Sequence, residues 1–193
     1  VARPSALTNA VAKRKAEFLA GRYCAKRALQ ALGVSATVGI GNGRAPNWPT
    51  QITGSISHTD GMATAIVCRS PSVTGLGIDL EARMTADVAR ELQAQILTVE
   101  ERGWLDKHDM PFEELVSLIF SVKESFFKAA YPSVQAYFDF DAVTVHSVCC
   151  AENEIRFMLN HDLSRWKAGA PFVAKFLTLA PHIVATYVML SGN

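Results

Sequence analysis

The chain of 193 residues is 49% hydrophobic and sets 19 basic against 18 acidic residues. That is enough apolar material for one domain or two tightly joined small ones, and too balanced a charge to mark a nucleic-acid binder or an acidic tail. The cysteines Cys24, Cys68, Cys149 and Cys150 form no C-x-x-C and no metal-type pairing with the histidines, which argues against zinc and for free cytosolic thiols, and no apolar run nears the ~20 residues of a membrane span.

No signal peptide precedes the first predicted element, and the opening Val1 leads us to expect a trimmed N-terminal piece. Residues 5–32 lack Pro and are rich in Ala, Leu, Lys, Arg and Glu, which predicts a long helix closing at Gly33. Gly21 interrupts it at modest cost. Arg14, Lys15, Arg22 and Lys26 fall within roughly a third of its wheel at ~100° per residue. Such a face can grip phosphates, but it equally fits a solvated face, a calmodulin-like target or an RNA-binding strip. The Gly- and Pro-dense stretch 39–49 predicts a loop.

Strands are expected at 52–57, 62–68 and 73–81, with a turn at Thr59-Asp60-Gly61. Ser55-Ile56-Ser57-His58 ends the first of them. Hydroxyls and an imidazole there suit a phosphate-binding corner or a purely structural hydrogen bond. Ser57, His58 and Asp60 are too close in sequence for a catalytic triad, whose members normally come from separate segments. In Gly77-Ile78-Asp79-Leu80-Glu81 the alternation puts Asp79 and Glu81 on one face, roughly 6–7 Å apart by the rise per residue. That pair suits a hard cation, or it is the polar side of a half-buried strand.

Two helices follow, one capped by Thr98 with Glu101 and one over 112–131 stopped by Pro132. The second carries Phe120-Ser121-Val122-Lys123-Glu124-Ser125-Phe126-Phe127-Lys128-Ala129. Glu124 and Lys128 are helical neighbours. They form either an exposed pair or, because this helix is apolar nearly all round, buried charges that need a partner or a task. The rest is β-rich, with strands at 142–149, 154–159, 172–179 and 182–190. Ala63-Thr64-Ala65-Ile66-Val67 and Ala185-Thr186-Tyr187-Val188-Met189 hint at two related α+β lobes.

Taken in order, these motifs resemble the 4'-phosphopantetheinyl transferases of the two-lobed type, which activate surfactin and enterobactin synthetases. The match runs from Arg14-Lys15-Ala16-Glu17-Phe18 through Arg44-Ala45-Pro46-Asn47-Trp48-Pro49 and Ser55-Ile56-Ser57-His58. It continues with Gly77-Ile78-Asp79-Leu80-Glu81 and ends in the 120–129 helix, covering about two-thirds of the chain. The Arg-Lys-x-Glu-Phe helix together with the Ala-Pro-x-Trp-Pro loop is similar to the enterobactin-type branch, whose members usually carry further residues before that helix.

The resemblance implies an α+β fold of two pseudo-symmetric lobes, 1–72 and 73–193, each a small antiparallel sheet packed with a long helix, in effect a fused pseudo-dimer with the active site in the cleft between them. It implies transfer of phosphopantetheine from coenzyme A to a serine of an apo acyl, peptidyl or aryl carrier protein, with release of 3',5'-ADP. Asp79, Glu81 and Glu124 would hold Mg²⁺, with Mn²⁺ as the alternative. Glu124 would also help to deprotonate the serine, and Lys128 would act on the leaving phosphate. Arg14, Arg22, Arg44, Ser57, His58 and Lys123 would bind coenzyme A. A cytoplasmic monomer that binds no nucleic acid is expected, with membrane association left open.

Overall fold

The computed structural model describes residues 12–59, 61–105 and 108–192, without the side chain of Asn42. The first turns of the expected helix and Asp60 lie outside the described residues.

Helix α1 (Ala12–Ala31) ends where expected. Gly33 adopts φ 71, and Val34 N–H bonds the Leu29 carbonyl at 2.9 Å, closing the helix. Strands β1 (Gly39–Ile40) and β2 (Pro46–Asn47) pair inside the stretch expected to be loop. Strands β3 (Thr53–Thr59) and β4 (Met62–Cys68) then form an antiparallel hairpin, on which α1 lies. Gly21 has a reason to be in α1: a Cβ there would stand 2.7 Å from Ile56 Cγ2. The glycine is the contact point between helix and hairpin.

Strand β5 (Val73–Ala82) begins the second lobe. Helix α2 (Ala86–Ile96), absent from the sequence reading, follows with Thr85 as its N-cap, accepting from Val88 N–H at 3.4 Å. Helix α3 (Val99–Leu105) has the expected capping box, Thr98 N–H to Glu101 at 2.7 Å and Glu101 N–H to Thr98 Oγ1 at 3.2 Å. Helix α4 (Phe112–Val134) runs two residues past Pro132. Proline there removes one N–H from the last turn, and the helix still closes through Gln135, whose N–H bonds the Tyr131 carbonyl at 2.9 Å.

Strands β6 (Val143–Cys149), β7 (Glu154–Leu159), β8 (Pro171–Ala180) and β9 (Ile183–Ser191) complete a five-stranded sheet in the order β5-β9-β8-β7-β6. Every pairing in it is antiparallel. The core between this sheet and α4 centres on Val122, Phe126, Ile155 and Phe157, all buried, with Phe126 edge-on to Phe157 at 5.4 Å.

The backbone of α4 rests on a glycine track. A Cβ at Gly77 would stand 1.8 Å from the Ser125 carbonyl oxygen, and one at Gly75 would stand 2.2 Å from that of Ala129. By the strand period, Gly75, Gly77, Asp79 and Glu81 share one face. The glycines let α4 approach, and the next two residues on the same face are the carboxylates that its charges meet.

The fold is α+β with antiparallel sheets, and each lobe sets a long helix against one. The repeated strand segments lie in β4 and β9, under α1 and α4 respectively. The lobes are unequal among the described residues: the first holds two two-stranded sheets and the second holds the five-stranded one. No helix of the described residues is long and apolar enough to cross a membrane.

Candidate functional site

The lobes meet where β3, β5 and α4 converge. Ser57 Oγ donates to Asp79 Oδ1 at 3.0 Å and accepts from Leu80 N–H at 3.1 Å. Lys128 Nζ donates to Asp79 Oδ1 at 2.6 Å, to Ser57 Oγ at 3.1 Å and to the Ile78 carbonyl at 3.2 Å. Asp79 is only 5% exposed, so the solvent-facing alternative for this strand side does not hold. Its second oxygen, Oδ2, is buried with no partner among the described residues, although a buried carboxylate oxygen left unpaired is costly.

Glu81 and Glu124 belong to the same electrostatic group. Burial and then the Asp79 charge push the Glu81 carboxyl up to about 7, with Glu124 adding to the rise and Lys128 opposing it. Glu124 is likewise raised, first by burial, while Lys128 opposes and Asp79 adds. Three carboxyls therefore sense one another with a single ammonium among them. Among the described residues no three His, Cys, Asp or Glu side chains are already drawn into a metal-binding cluster.

A cavity of about 280 Å³ opens beside this junction, lined by Arg14, Arg22, Arg44 and His58 together with Glu17 and Phe18. Arg22 is 7% exposed, its Nη1 is buried without a partner among the described residues, and its guanidinium lies 4.9 Å from the Phe18 ring centroid. Burial lowers its pKa. A desolvated guanidinium with a buried, unpartnered nitrogen at the wall of a cavity is placed for an anion. His58 Nδ1 lies 3.8 Å from Glu17 Oε2. Lys15 and Lys26, which share the helical stripe, do not line this cavity.

Arg44, Pro46 and Ile56 also line a larger interlobe cleft of about 630 Å³ that reaches Lys128. Its walls include Trp48, Leu76, Phe127, Tyr131 and Tyr137. Trp48 is held by Gly54, where a Cβ would stand 2.7 Å from the indole. Sequence reasoning found Trp48 only as part of a loop motif and missed the aromatic residues of the α4 end. Their signal was the run Phe127, Tyr131 and Tyr137 around Pro132, which reads as ordinary core.

Lys123 does not join these cations, contrary to what the resemblance implies. Its ammonium donates to Glu101 Oε2 at 2.7 Å and to the Ile96 carbonyl at 2.8 Å, and the residue is 2% exposed. Glu101 Oε1 accepts Val145 N–H at 2.7 Å. Burial drives the Lys123 pKa down and Glu101 holds it up. The positive charge is neutralised inside the second lobe, where it ties α4 to α2, α3 and β6.

The site is thus a long cleft between two lobes. It is cationic at one end, apolar along its wall, and reaches the ammonium of Lys128, which Asp79 holds from behind. That is a receptacle for an elongated molecule with an anionic head and a less polar arm. Comparison with known proteins gives the class a family. Residues 3–68 match the 4'-phosphopantetheinyl transferase N-terminal domain, and residues 75–178 match the 4'-phosphopantetheinyl transferase superfamily. The chain belongs to that superfamily.

Enterobactin synthase component D of Salmonella typhi is 43% identical over 123 residues, covering 64% of this chain and 51% of the relative. The same component of Escherichia coli strain K12 is 41% identical over 132 residues, covering 68% and 62%. The 4'-phosphopantetheinyl transferase Npt of Nocardia iowensis is 33% identical over 137 residues, covering 70% and 60%. These matches span about half to three-fifths of the length of the curated relatives. A crystal structure of Thermotoga maritima holo-[acyl-carrier-protein] synthase matches at a TM-score of 0.40 and 17% identity, covering 63% of this chain and 65% of that one.

Proposed function

We propose that this chain transfers the phosphopantetheine of coenzyme A to a serine of an apo acyl, peptidyl or aryl carrier protein and releases 3',5'-ADP. The observation that carries this reading is the adjacency of two cavities that share Arg44, Pro46 and Ile56 in their walls, one lined by Arg22 and the other reaching Lys128. Coenzyme A bears about four negative charges at one end, and a near-neutral protein must gather its cations locally to hold them. In this reading Arg14, Arg22, Arg44 and His58 bind the nucleotide phosphates, whereas Ser57, its hydroxyl hydrogen given to Asp79, holds the carboxylate group in place and not the ligand. The pantetheine arm lies along the apolar cleft, open to an approaching carrier.

Asp79, Glu81 and Glu124 are the residues that would hold Mg²⁺ or Mn²⁺. The fit rests on Asp79 Oδ2, which has no partner among the described residues, and on carboxyls pushed up first by burial and then by one another's charge; an all-oxygen donor set suits a hard cation. When bound, the metal neutralises charge on the diphosphate. The carrier serine Oγ attacks the phosphorus that bears pantetheine, and the P–O bond to 3',5'-ADP breaks. Glu124 takes the serine proton, directly or through water, and Lys128 meets the charge on the leaving phosphate oxygen.

The likeness to enterobactin synthase component D supports a carrier of siderophore or other nonribosomal peptide assembly. We further read the lobes as 1–72 and 73–193, and the protein as a cytosolic monomer. The test incubates the protein with coenzyme A and magnesium, with and without an apo carrier. Release of 3',5'-ADP only when the carrier is present is expected. Equal release without it would make the chain a diphosphate hydrolase and overturn the transfer reading.

A further inference from the structure

Phe127 and Tyr137, whose ring centroids lie 5.7 Å apart, line the interlobe cleft and also a second cavity of about 190 Å³. The two α4 charges divide between these spaces. Lys128 lines the cleft and not the small cavity, whereas Glu124 lines the small cavity and not the cleft. The remaining walls of the small cavity are Phe138, Phe140 and Val143, with Asp139 at the edge. Lys123 also lines it, but its ammonium is engaged by Glu101 and the Ile96 carbonyl. The polar character of the small cavity is therefore carboxylate, and the rest is aromatic and aliphatic.

We propose that this small cavity is the acceptor subsite, which receives an uncharged apolar side chain flanking the modified serine of the carrier protein. The proposal rests on the transfer reading above and adds the place where the acceptor is recognised. A serine delivered to Glu124 brings its chain neighbours to the cavity that Glu124 lines. Phe127, Phe138, Phe140 and Val143 reward an apolar group there, whereas Glu124 and Asp139 repel an acidic one. Tyr137 is 77% exposed at the wall shared by both cavities. It is open to an approaching protein and separates the donor arm from the acceptor segment. The commitment to a carrier segment follows from this shared wall: Phe127 and Tyr137 set the small cavity directly beside the proposed donor cleft.

The test is binding of an apo carrier to the protein in the absence of coenzyme A, followed by calorimetry, with coenzyme A binding measured separately. Phe140→Ala should weaken carrier binding about tenfold, as for loss of an interface anchor, and leave coenzyme A affinity within about twofold. Phe140→Leu, which keeps an apolar contact for Phe120, should give an intermediate loss and guards against misfolding of the larger truncation. Replacing each neighbour of the carrier serine by Ala should reveal one position that loses a similar factor with the wild-type protein and little more with Phe140→Ala. Normal carrier binding by Phe140→Leu and Phe140→Ala, with wild-type transfer intact, overturns the subsite alone. A wild-type protein that neither binds nor modifies any carrier overturns the transfer reading and this proposal with it.

Discussion

Glu81→Gln should stabilise the metal-free protein at alkaline pH, because it removes a charge that the fold holds at a cost. Below about 4.5 the carboxyl is neutral in the folded and unfolded chain alike and contributes nothing. As pH rises the unfolded chain ionises first, and stability is lost until the folded group ionises at about 7. Raising a carboxyl from 4.5 to about 7 corresponds to a ceiling of ~3 kcal/mol. Partial exposure of Glu81 screens this to about 1–2 kcal/mol, or roughly 3–6 °C in melting temperature for a chain of this size. Gln keeps the acceptor for the Ala82 N–H, so its effect isolates the charge. The assay is thermal unfolding of both proteins in chelator at pH 5 and pH 8. The gain should be only about a quarter of its full size at pH 5 and full at pH 8, and added magnesium should then raise the wild type more than the variant. No gain at pH 8, or an equal gain at pH 5, would refute the like-charge cluster.

Gly77→Ala should abolish folding or cost more than ~3 kcal/mol, because its Cβ would overlap the Ser125 carbonyl oxygen at 1.8 Å; denaturant unfolding measures this. Arg22→Met should leave stability unchanged or slightly higher, since it removes a desolvated charge with one buried, unpartnered nitrogen and keeps an apolar side chain against Phe18. The same change should weaken coenzyme A binding about tenfold by calorimetry. Lys128→Ala should lower single-turnover transfer by about 10²–10³-fold with coenzyme A affinity changed only a few-fold. Lys128→Arg should restore part of that rate, because a planar guanidinium does not place charge where the ammonium sat.

Much of this site was legible because it is carried by short local patterns. The alternation in Gly77-Ile78-Asp79-Leu80-Glu81 fixed which side chains share a face, and the structure adds that the glycines of that face are where α4 lands. The capping box at Thr98 and Glu101 was equally local. Its deeper use was not legible: Glu101 is also the buried partner of Lys123, a contact 22 residues away in the chain. Helical spacing relates Lys123 to its own helix face but says nothing of what packs there, and only the family resemblance points its charge at the ligand. Helix α2 was legible and missed: it had a cap and an acidic first turn, Thr85 and Asp87, and an apolar stripe of Ala89, Leu92 and Ile96 at helical spacing. The cleft aromatics were hidden for the same reason as Lys123. Phe127, Tyr131 and Tyr137 read as core until tertiary packing turns them toward a cavity.

The central claim is that this chain adds phosphopantetheine to carrier proteins, and intact-mass spectrometry of several apo carriers after incubation with the protein, coenzyme A and magnesium tests it most directly. A mass gain of one phosphopantetheine per carrier, absent when the acceptor serine is replaced by Ala, is the predicted result. Unchanged carrier masses across acyl, peptidyl and aryl carriers, with the protein folded and coenzyme A bound, would contradict it.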